Sequence, residues 1–65
     1  MVTVYRDICL EVRIRLGYSQ RDIAEMVGCS ERTIKRFERD GTIGLGSFLK
    51  LLKVLNIKIS IEYGI

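Results

Sequence analysis

Four cations stand within eight residues near the middle of the chain: Arg32, Lys35, Arg36 and Arg39. A guanidinium is always charged and carries a rigid fork of donors, which matches phosphate oxygens and the O6/N7 edge of guanine. That chemistry is recognition rather than catalysis. Zero His and two separated Cys leave too few soft or nitrogen ligands for a structural zinc site. Without His, and without a Gly-x-Ser-x-Gly elbow, a hydrolytic triad is also out of reach. No enzyme activity, cofactor or metal is therefore expected.

The 65 residues can hold only one small core, so a single domain over 1–65 is expected. Apolar types make up 48%, ample for a globular fold. Eleven basic and eight acidic residues give a formal charge of +3 and a pI near 9.1. That mild bias permits a polyanionic partner without requiring one. No apolar run approaches the length of a membrane span. Met1 to Leu10 carries Arg6 and Asp7 and lacks a small-residue cleavage pattern, so no secretory signal is read and a cytoplasmic, reducing setting follows. Cys9 and Cys29 are then expected as small buried hydrophobes rather than a disulfide.

The elements that must position those cations can be read from periodicity and capping residues. Val4, Ile8, Val12 and Leu16 recur every four positions and predict a first helix over about 3–16 with that stripe buried; Leu10 and Ile14 lie off it. Gly17 ends it. Ser19, with Asp22 three residues on, predicts a capped second helix over about 19–27, with Ile23, Ala24 and Val27 inward and Gly28 as its stop. Ser30 is a second N-cap, for a third helix over about 30–39 with Ile34 and Phe37 inward, closed by Asp40-Gly41. After the uncharged, glycine-rich Thr42–Gly46 comes a fourth helix over about 46–55 that carries Phe48, Leu49, Leu52 and Leu55. From Asn56 the period falls to two: Ile57, Ile59, Ile61 and Tyr63 alternate with polar residues and predict a strand over 57–63. One strand cannot satisfy its own backbone ladder. Its expected partner is the same strand of a second copy, paired antiparallel across a two-fold axis.

Two short helices joined through Gly28, the second with a basic outer face, have the layout of a helix-turn-helix. Rotating 100° per residue from Ile34 and Phe37 places Arg32, Lys35, Arg36 and Arg39 on the opposite side. A basic helix is often only a solvated face, and Glu31 and Glu38 dilute this one. Ala24, Gly28 and Ile34 weigh the other way, because they supply the small residue, the turn and the core contact of a helix-turn-helix.

The run from Gly17 to Glu38, with Ser19-Gln20 before helix 2, Ala24, Gly28, Ser30, Ile34 and Phe37-Glu38, resembles the Cro/lambda-repressor (XRE) helix-turn-helix family. The likeness covers roughly residues 5 to 57 and implies a mainly α, four-helix lambda-repressor-like domain. It also implies roles: Glu31, Arg32 and Arg36 at base edges in the major groove, Gln20 beside a phosphate, and an Arg13–Glu38 ion pair tying helix 1 to helix 3. Glu31 has two roles open to it, accepting from a cytosine amino group or steering Arg32. Arg21, Lys35 and Arg39, with Ser19, Ser30 and Thr33, fit contacts to the DNA backbone, which position without specifying. Where the family usually has a fifth helix this chain has the Ile57–Tyr63 alternation, an ending that resembles the HipB-like antitoxins.

The expected function is sequence-specific binding of double-stranded DNA by a homodimer on a pseudo-palindromic operator, most often as a transcriptional repressor. The alternative is an antitoxin whose main partner is a protein toxin, met through exposed apolar residues such as Leu10 and Ile14.

Overall fold

A computed structural model describes residues 2–58. It contains four helices, α1 (Val2–Leu16), α2 (Gln20–Val27), α3 (Glu31–Asp40) and α4 (Leu45–Val54). No strand occurs among the described residues. Of the predicted C-terminal strand, Ile57 lies outside any regular element and packs against the core, while Ile59, Ile61 and Tyr63 fall outside the described residues. No described helix is long and apolar enough to cross a membrane.

Local chemistry sets the helix ends. The Ser19 hydroxyl accepts from the Asp22 N–H at 3.0 Å, and the Asp22 carboxylate accepts from the Ser19 N–H at 2.9 Å, a reciprocal capping box at the start of α2. Ser30 Oγ accepts from the Thr33 N–H at 3.2 Å and caps α3. α4 starts from Gly44 with no side-chain cap.

The core is drawn from all four helices. Cys9 of α1, Ile23, Ala24 and Val27 of α2, Ile34 and Phe37 of α3, and Leu51, Leu52 and the adjoining Leu55 of α4 form one buried cluster. α2 packs on both α3 and α4, and α1 packs on α3. Phe48 bridges the cluster's edge, tilted against Phe37 at 5.9 Å and edge-on to Tyr5 at 5.7 Å, both within the favourable range for aromatic pairs.

Two inward faces differ from the sequence expectation. The α1 stripe is not Val4, Ile8, Val12 and Leu16: Ile8 is 40% exposed and Leu16 52%. Val12 packs on the core as expected, joined by Tyr5 and Cys9 in place of Ile8 and Leu16. A repeat of four overruns a 3.6-residue turn by about 40° each step, so a strict four-residue stripe winds off any single face. Spacing of i, i+4, i+7 stays on one. In α4, Leu51 is buried and Leu49 is 53% exposed, because Leu49 lies about 100° on from Phe48, whereas Leu51, Leu52 and Leu55 share its side.

Candidate nucleic-acid interface

The link from α2 to α3 is three residues, Gly28, Cys29 and Ser30. Gly28 adopts φ 85°, ψ 30°, a left-handed conformation a glycine takes without a Cβ penalty. Its N–H and that of Cys29 both reach the Ala24 carbonyl, at 2.9 and 3.0 Å, which closes α2 and turns the chain at once into the Ser30 cap. The turn is thus held by backbone hydrogen bonds on the α2 side and by the Ser30 hydroxyl on the α3 side.

α3 is divided cleanly. Ile34 and Phe37 are each 1% exposed, and Arg32, Lys35, Arg36 and Arg39 are all exposed. The four cations are not equivalent. Arg39 Nη2 meets Asp40 at 3.2 Å. Lys35 Nζ lies 3.0 Å from one Glu31 oxygen, and Arg21 Nε, from α2, lies 3.9 Å from the other. Arg32 and Arg36 make no ion pair or side-chain hydrogen bond among the described residues. Two guanidinium groups, one turn apart and unpaired among the described residues, therefore stand on the outer face.

Behind this face is a half-buried polar anchor. Arg13 Nε donates to Glu38 at 2.7 Å, its Nη2 donates to the other oxygen at 3.1 Å, and its Nη1 donates to the Tyr18 carbonyl at 2.8 Å. Gln20 Nε2 adds a third donor to Glu38 at 2.8 Å. One carboxylate thus joins α3 to the end of α1 and the start of α2, and one Gln20 N–H is committed inside the protein. At the far end Arg6 Nη1 donates to the Arg39 carbonyl at 3.2 Å. Neither the Gln20–Glu38 bond nor the Arg21–Glu31 approach carries a signal in the sequence, since each joins residues from different helices. The Glu31–Lys35 pair was legible as an i,i+4 spacing with Glu on the N-terminal side.

Two thiols and two carboxylates are displaced from their ordinary titration range. Burial, with Glu38's negative charge nearby, pushes the Cys9 thiol up to about 11. Burial also raises Cys29, and both cysteines are free thiols. Asp22 is held below the usual carboxylate value by its hydrogen bonds with Ser19, and Asp40 falls to about 2 through Thr42, side chain first and then backbone N–H, with Arg39 assisting. Both are capping groups at helix ends. No group of three or more metal-ligating side chains gathers among the described residues.

The remaining expected contact residues lie on the α2–α3 side of the fold. Ser19 and Ser30 sit at the two N-caps, Ser30 Oγ and Thr33 Oγ1 are 3.0 Å apart, and Arg21 is exposed at the start of α2. A family model described as Helix-turn-helix matches residues 10–61, most of the chain. No curated protein matches it.

Proposed function

The chain belongs to this helix-turn-helix family, whose members are DNA-binding transcription regulators, and from that membership we propose that it acts as a homodimeric repressor on a pseudo-palindromic operator. The observation that carries the reading is the pair of free guanidinium groups on α3. Arg32 and Arg36 are exposed and unpaired among the described residues, opposite Ile34 and Phe37. In the major groove each fork reads guanine O6 and N7, while Glu31 faces the groove from the same end of the helix. Arg21, Lys35 and Arg39 supply positive charge along the flanks, and Ser19, Gln20, Ser30 and Thr33 line the approach to the DNA backbone.

One recognition helix spans only a few base pairs, so useful specificity needs two. The proposed dimer pairs the alternation from Ile57 to Tyr63 with its copy across a two-fold axis, an arrangement that would set the two α3 helices about 34 Å apart on half-sites one helical turn apart. Residues 1–65 act together as one DNA-binding domain. Repression needs nothing beyond occupancy, because a bound dimer occludes the operator.

Selection from a random duplex pool, followed by gel shifts at two salt concentrations, tests this. A two-fold-symmetric motif whose binding weakens steeply with salt is the expected result. A pool that returns no motif refutes sequence-specific binding. A second reading, an antitoxin, is favoured by the outer face of α1, where Ile14 is 61% exposed beside the half-buried Leu10. It requires a protein partner that protects that face.

A further inference from the structure

Three positive features converge at the N-terminal end of the recognition helix. They are the Arg21 guanidinium from α2, the Lys35 ammonium one turn along α3, and the positive end of the α3 dipole. Such a point should draw a phosphate. The chain has placed its own anion there: Glu31, the first residue of α3, has one oxygen 3.0 Å from Lys35 Nζ and the other 3.9 Å from Arg21 Nε.

We propose that Glu31 is a specificity-determining residue that works by standing in for a DNA phosphate, withholding Arg21 and Lys35 from the DNA backbone while Arg32 and Arg36 stay free for base edges. The inference rests on the DNA-binding reading above. Its physical basis is the division of labour at such interfaces. Phosphate contacts supply affinity without sequence information, and base contacts supply discrimination. A carboxylate shared between these two cations cancels one of their two charges and so lowers binding to every duplex alike. It leaves the two forks that read bases untouched, so the ratio of specific to non-specific binding rises. Surface ion pairs of this kind add little to folding, so Glu31 can be changed without unfolding the helix.

Three variants test the proposal: Glu31→Gln, Arg21→Gln and the two combined. Each is titrated with salt against a duplex selected by the native chain and against a scrambled duplex of the same composition. Glu31→Gln keeps the side chain's size and removes its charge. Each phosphate newly paired steepens the salt dependence by about 0.9 units. Removing the single Glu31 charge frees one net positive charge per protomer, so the gain is about 0.9 units per protomer and about 1.8 for the dimer. The affinity advantage of Glu31→Gln on the scrambled duplex then shrinks about tenfold between 50 and 200 mM salt. The selected-to-scrambled ratio falls, and adding Arg21→Gln removes one of the two cations and takes back the steepening, whereas Arg21→Gln alone does not steepen the native slope.

An unchanged slope in Glu31→Gln overturns the proposal. So does a preference altered at one base position with the slope unchanged, which would make Glu31 a base reader. Native chain that binds neither duplex overturns the DNA-binding reading itself, a result separable from both.

Discussion

Arg36 faces outward because its neighbours are not free to turn. Ile34 and Phe37 are buried in the core, and on a 100° wheel that commits residues 32 and 36 to the opposite side. Truncating Arg36 to Ala removes one fork and leaves the helix's inward face intact. The expected result is a loss of about 1–3 kcal/mol against the preferred base and a relaxed preference at one position of each half-site. A selection experiment on Arg36→Ala that returned the native motif would refute base reading by this residue. Directions of this kind were legible at the residue scale in α3, where the buried pair is unambiguous. They were less so in α1, where Leu16 is apolar but exposed. An apolar side chain states a preference for burial and does not say which of several candidates the neighbouring helix will cover.

The elements are held in register by the carboxylate of Glu38. Its three donors, two from Arg13 and one from Gln20, fix α3 against α1 and α2, and the pair is largely withdrawn from water, with side chains 14% and 10% exposed. Removing one partner of such a pair strands the other charge. Glu38→Ala is expected to cost about 2 kcal/mol, or roughly 8–16 °C in Tm for a domain of this size, with DNA affinity falling as α3 loses its support. A double-mutant cycle with Arg13→Ala should recover part of that cost, because the stranded guanidinium is gone. A loss of less than about 0.5 kcal/mol in Glu38→Ala would show that the anchor is ornamental. α2 and α3 were readable from their start and stop residues. Ser19, Gly28, Ser30 and Gly41 each act through hydrogen bonds or backbone freedom within a few residues, and such local rules survive without tertiary context.

At the scale of the whole molecule, the charge of +3 is spread unevenly in use. Arg13, Lys35 and Arg39 are each matched to a carboxylate, whereas Arg32 and Arg36 are unmatched among the described residues. A reading head this small needs a second copy to gain specificity. We expect sedimentation at micromolar concentration to report a dimer, and removal of residues 57–65 to yield a monomer with DNA binding weakened at least tenfold. A native chain that sediments as a monomer, or an operator built as a direct repeat, would count against the two-fold assembly.

From the sequence alone came the helix-turn-helix layout, the buried direction of α3 and the basic face opposite. Each depends on periodicity and capping, interactions that span at most a few residues. Which face of α1 and α4 the core would cover, that Gln20 would turn inward to Glu38, and that Glu31 would be shared between Arg21 and Lys35 were decided only by tertiary structure. The Gln20–Glu38 and Arg21–Glu31 contacts join different helices, so their geometry exists only once the helices have packed.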